Sequence, residues 1–146
     1  MACPIFFKRI DAIFMGRKSY DLVTSMTKGK KPASNPYSHL QLYVFSNTLK
    51  ETGDKTIIVS GDIKKQVMNI KKQPGKDIWL FGGAELTSTL MNEGLVDEIG
   101  LAVHPILLGG GKPLFMNIKT RIPLKLADTK TYSSGLVTLT YLLAKN

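Results

Sequence analysis

The sequence predicts an α/β fold: a mostly parallel sheet in a three-layer α/β/α sandwich, finished by an antiparallel C-terminal hairpin. Short apolar runs alternate with amphipathic helical stretches along most of the chain, as crossover units require. Glycines stand where an apolar run passes into a helix, and Ser133-Ser134-Gly135 separates the last two apolar runs as a hairpin turn would.

In chain order, Ile10 to Met15 is a short apolar run suited to a buried strand, and Gly16 to Val23 continues as a helix. Residues 27–41, rich in Lys, Pro, Ser, Asn and Gly, read as a surface loop rather than a linker. Leu42 to Phe45 forms the next strand and ends in Ser46-Asn47. Thr56 to Ser60 is another strand, with Gly61-Asp62 as turn and helix cap, a helix over 63–72, and Pro74-Gly75 as its stop. Asp77 to Phe81 is a strand that runs through Gly82-Gly83 into a helix over 84–92, with Gly94 as the C-terminal stop. Glu98 to Val103 reads as a strand, 104–112 as a loop, and 124–132 and 136–143 as the closing strands. The whole chain, 1–146, reads as one domain without internal repeats, long enough to bury a core without disulfides.

Composition narrows the function classes. With 43% hydrophobic and 21% charged residues the chain is an ordinary globular one. Cys3 is the single cysteine and cannot form an internal disulfide, and no apolar run approaches the roughly 20 residues that cross a bilayer. A reducing cytoplasm is the expected location, with no membrane partner. The 20 Lys+Arg against 11 Asp+Glu leave a formal charge of +9, which attracts anions. Lys28, Lys30 and Lys31 lie in the loop, and Lys64, Lys65, Lys71 and Lys72 flank a short helix. Without a basic helix or aromatic residues interleaved for base stacking, the surplus reads as a diffuse field that attracts anionic ligands, and each cluster as a solvated surface rather than a nucleic-acid site.

The Gly82-Gly83 junction is the most informative feature. A glycine pair lets the main chain approach a ligand closely, and the first turn of the following helix aims N–H groups and the positive end of its dipole at an anion. Tight packing alone would equally explain such a pair. Gly109-Gly110-Gly111 lacks the Lys-Ser/Thr ending of a phosphate loop, because Pro113 follows Lys112, and reads as an adaptable loop beside a substrate cleft or a subunit contact. His104, leading into a proline, reads as structural, and His39 as a solvated loop residue. Asp97-Glu98 reads as a capping, solvent-facing pair. No spacing of His and Cys suits a metal.

Five segments, in order, resemble one family: 11–20 (DAIFMGRKSY), 43–49 (YVFSNTL), 78–86 (IWLFGGAEL), 94–98 (GLVDE) and 105–115 (PILLGGGKPLF). Together they are similar to the reductase domain of the bifunctional riboflavin-biosynthesis deaminase-reductases and its stand-alone relatives, of the dihydrofolate reductase-like fold, over nearly the whole chain. The resemblance implies NADPH as cofactor. It implies phosphate contacts at Gly16, Arg17, Lys18 and Ser19, adenosine ribose contacts at Ser46, Asn47 and Thr48, and a pyrophosphate cradle at Phe81, Gly82, Gly83, Ala84, Glu85 and Leu86. Arg and Lys at a helix start make charge-assisted contacts to phosphate credible, whereas Glu85 is out of place beside an anion unless it turns outward.

Relatives usually begin with a strand and a loop that line the nicotinamide and substrate pocket, and none precedes Pro4 here. That strand lies mid-sheet in the family, so the expectation is that residues beyond this sequence supply it. Failing that, a second chain fills the gap or the sheet is rearranged. The catalytic residues therefore stay unassigned. The expected activity is NADPH-dependent hydride transfer to a small polar pterin-like or aminopyrimidine substrate. A catalytically silent nucleotide-binding or dimerisation module is the alternative, and an anion or nucleic-acid binder the third reading. A homodimer is expected from the resemblance, with the strand Leu136 to Leu143 as its candidate edge.

Overall fold

A computed structural model describes residues 4–27, 37–52 and 55–144. Its elements are α1 (Pro4–Arg9), β1 (Ile10–Gly16), α2 (Arg17–Thr27), β2 (Gln41–Phe45), β3 (Thr56–Val59), α3 (Ile63–Lys71), β4 (Asp77–Gly82), α4 (Ala84–Asn92), β5 (Glu98–Val103), β6 (Leu124–Thr131) and β7 (Val137–Leu143). The mixed α/β class is as expected, and contacts divide the chain into two compact units, 1–87 and 88–146, with the boundary inside α4.

The first unit holds a four-stranded parallel sheet in the order β3-β2-β1-β4. β1 is the most buried strand, with Ile13, Phe14 and Met15 almost inaccessible, because an unbroken apolar run can present side chains to both faces of a covered parallel sheet. Ile10, Ile13, Met15 and Leu40 form a core cluster against which Phe6, Phe7, Val23, Trp79 and Phe81 pack. The rings of Phe6, Phe7, Tyr37, Trp79 and Phe81 meet edge to face or tilted, with centroids 5.1–6.3 Å apart where they touch. α1 was not legible in the sequence: six residues give too few turns for periodicity, although proline at its first position suits a helix start. The Arg9 guanidinium donates to Asp77 at 2.8 and 3.1 Å, tying α1 to the start of β4.

Helix ends follow local chemistry. Asp62 accepts the Lys65 N–H at 3.0 Å and caps α3, as expected. Past α4, Gly94 takes φ 66° while Leu95 N–H donates to Leu90 O and Gly94 N–H to Met91 O, the paired bonds of a glycine C-terminal stop. α2 starts at Arg17 and runs four residues beyond the expected Val23, while Gly16 closes β1 rather than opening the helix.

The second unit contains a three-stranded antiparallel sheet in the order β5-β7-β6. The expected hairpin forms, its turn closed by the Gly135 N–H to Tyr132 O bond at 2.9 Å. β5 joins this hairpin antiparallel to β7 instead of continuing the parallel sheet. One expectation is corrected here. The strand expected as a free edge, Leu136 to Leu143, is the middle strand, bonded on one side to β5 and on the other to β6. Alternating apolar residues mark a half-buried strand but do not say which of its edges are paired, and β5 and β6 are the outer strands of this sheet. No helix among the described residues is long and apolar enough to cross a membrane.

Candidate functional site

Every residue expected at the cofactor lies at the carboxyl end of β1, β2 or β4, the three adjacent strands in the centre and on one side of the parallel sheet. Ligands gather at that end of open parallel sheets, where helices begin. The register brings the ends level: Gly16 pairs with Phe45, and Met15 with Gly82. Gly16 ends β1, Arg17, Lys18 and Ser19 form the first turn of α2, Ser46, Asn47 and Thr48 follow β2, and Phe81-Gly82-Gly83 lead from β4 into Ala84, Glu85 and Leu86 of α4.

The two strand-to-helix turns touch. A β-carbon on Gly83 would lie 3.4 Å from Ser19 Oγ and 4.0 Å from the Gly16 Cα, and one on Gly16 would lie 3.7 Å from both Gly82 O and Leu86 Cβ. Gly82 and Gly83 adopt φ of 115° and 83°, a backbone that other residues enter only with strain. Gly82 and Gly83 are therefore required by conformation, while the distances from Gly83 to α2 are those of ordinary van der Waals contact. Leu86 is buried and anchors the first turn of α4, while Gly83 remains exposed above it.

The charges are arranged less simply. Arg17 Nε donates to Asp21 Oδ2 at 2.7 Å and Oδ1 at 2.8 Å, one helical turn along α2. Lys18 Nζ lies 3.4 Å from Glu85 Oε1, linking the first turns of α2 and α4. Glu85 thus faces the basic turn of α2 in this structure. Asp21 was not among the expected site residues, although its i, i+4 spacing from Arg17 is a signal that the sequence carries.

After β2, the side chains serve the turn itself. Ser46 Oγ accepts the N–H groups of Thr48 and Leu49 at 3.2 and 3.0 Å, and Asn47 Oδ1 accepts the Gly61 N–H at 3.2 Å. The latter bond ties the ends of β2 and β3 together, so the turn is shaped before any ligand arrives. Phe81, half-buried, is flanked by Trp79 and Tyr37 at centroid distances of 5.1 and 5.9 Å. A shallow cavity of about 480 Å³ opens at the opposite, amino end of the strands among Asp11, Gln41, Lys55 and Lys76. It contains none of the motif residues, and the carboxyl end remains the better candidate because both glycine turns and their helix starts are there.

Two expectations fall elsewhere. Gly109, Gly110 and Gly111 lie in the second unit with nothing within 4 Å of the β-carbon each lacks, so close packing does not explain the triplet. His104 follows β5 and accepts the Ile106 N–H through its carbonyl at 2.8 Å, a backbone role.

Comparison with known proteins agrees with this fold. Residues 5–138 match the model of the RibD C-terminal domain family. The chain belongs to that family, a family of reductases. It is 44% identical over 142 residues to the uncharacterized protein YyaP of Bacillus subtilis, an alignment covering 93% of this chain and 76% of YyaP. Among solved structures it superposes with a TM-score of 0.80 and 26% identity on a Shewanella sp. PV-4 protein provisionally assigned to riboflavin biosynthesis, covering 97% of this chain and 78% of that one. Acinetobacter baumannii RibD shares the fold at a TM-score of 0.64 and 20% identity, with 96% of this chain matched to 49% of that larger protein. The RibD-family chain is thus a reductase-like protein in fold and lineage.

Proposed function

We propose that this protein is an NADPH-dependent reductase that transfers hydride to a C=N or C=O bond of a small, polar, pterin-like or aminopyrimidine substrate. The contact between the two glycine turns carries this reading, since Gly16, Ser19 and Gly83 are close enough for one dinucleotide to reach both helix starts. The residues fit such a group. Gly82 and Gly83 bring bare main chain to the start of α4, and two cationic side chains stand in the first turn of α2.

When bound, the cofactor supplies the hydride. Gly16, Arg17, Lys18 and Ser19 would hold phosphate through charge-assisted bonds, the first turn of α4 would add its dipole, and Ser46, Asn47 and Thr48 would border the adenosine ribose. Phe81, half-buried at the end of β4, would border the cofactor from that side. Titrating NADPH and NADH, then following loss of reduced nicotinamide with an aminopyrimidine or dihydrofolate substrate, tests the proposal. Saturable NADPH binding with no hydride consumption across such substrates would favour the silent nucleotide-binding module instead.

A homodimer belongs to the same reading. Every residue of β6 is exposed, Leu124 and Leu126 among them, which leaves an outer strand with two exposed leucines for a second copy to cover. Mass measurement in solution decides it, and a monomer at micromolar concentration would count against it.

A further inference from the structure

Both cationic side chains assigned to phosphate are already held by carboxylates, and the Lys18 pair is the more telling one. Its partners stand 67 residues apart and connect the same two turns that Gly83 and Ser19 bring together. Glu85 therefore sets a negative charge at the start of α4, the position that the reductase reading gives to a phosphate. Neither local helix preference nor the Arg17–Asp21 pair requires a carboxylate to reach across to α2.

We propose that Glu85 is a built-in competitor for the cofactor's phosphate: it holds Lys18 in the free protein and releases it when the dinucleotide binds. This inference rests on the reductase reading above. The Lys18 and Glu85 side chains are 88% and 78% exposed, so their attraction is screened by water and exchange is easy. Lys18 carries three donors on a flexible stem and can turn from Glu85 to a phosphate oxygen without backbone movement. Carboxylate and phosphate are stabilised by the same helix dipole, and two anions there repel each other. Displacing Glu85 therefore lowers the cofactor's net affinity only by the small amount that an exposed pair contributes.

The test is a fluorescence titration of NADPH at low salt into wild type, Glu85→Gln, Lys18→Ala, the double variant and Arg17→Ala, with thermal melting to verify folding. Glu85→Gln is expected to tighten NADPH about two- to fivefold, the size of a single charge effect at a helix terminus. Lys18→Ala is expected to weaken binding more in the Glu85→Gln background than in wild type, since only in wild type does binding first have to break the Lys18–Glu85 pair. Glu85→Ser, which also suits a first helical turn, serves if the Gln variant melts early. Unchanged or weaker binding by folded Glu85 variants, with Arg17→Ala still impaired, overturns the competitor role and leaves the reductase reading standing. Absence of NADPH binding to wild type overturns both.

Discussion

Gly83 and Ser19 face each other across two strand-to-helix turns, with room for no more than an ordinary contact: a β-carbon on Gly83 would meet the Ser19 hydroxyl oxygen at 3.4 Å. Gly83→Ala should therefore act twice. Its φ of 83° costs a side-chain-bearing residue about 1–2 kcal/mol, and the added methyl narrows the cradle. Urea unfolding should register the first effect and NADPH titration the second. An alanine variant with wild-type stability and affinity would remove Gly83 from the site.

Arg17→Ala separates binding from folding. Its guanidinium is exposed enough that losing the Asp21 pair should change stability by less than about 1 kcal/mol. A charged hydrogen bond to phosphate is worth about 1.5–3 kcal/mol, so NADPH affinity should fall by that amount, reduced by whatever the Asp21 pair contributes in the free protein. Isothermal titration measures it directly, and unaltered affinity would exclude Arg17.

The amino end of the sheet provides a control. A β-carbon on Gly75 would lie 2.9 Å from Asp11 Oδ2, the oxygen that accepts the Lys76 N–H at 2.7 Å. Gly75→Ala should destabilise the protein by about 1–2 kcal/mol by pushing the carboxylate off that bond, with NADPH affinity unchanged. In an Asp11→Ala background the same change should cost much less, because the crowded oxygen is gone.

Ser88 tests the second unit. It is 4% exposed and donates its hydroxyl to Met116 O, while Asn92 Nδ2 donates to Asn117 O at 3.0 Å and Asn92 Oδ1 accepts the Lys119 N–H at 2.9 Å. These bonds fasten residues 116–119 to α4. Ser88→Ala should cost about 1 kcal/mol by removing the hydroxyl's bond to Met116 O. Hydrogen exchange should show faster opening at Lys119, with β1 unaffected.

What the amino-acid order determined here was local. Apolar runs and glycine punctuation marked all seven strands and three of the four helices among the described residues, since a strand or helix of adequate length carries its own period and its own stops. The glycine turns at Gly16 and Gly82-Gly83 were equally legible, because positive φ at the glycine pair narrows the choice of residue at its own position. Tertiary structure alone decided that these turns touch, that Glu85 reaches Lys18, and that β5 pairs with β7 rather than with the parallel sheet. Each of these joins residues far apart in the chain. Their distance depends on strand order and register, which the packing of the whole unit selects and no short stretch of sequence encodes.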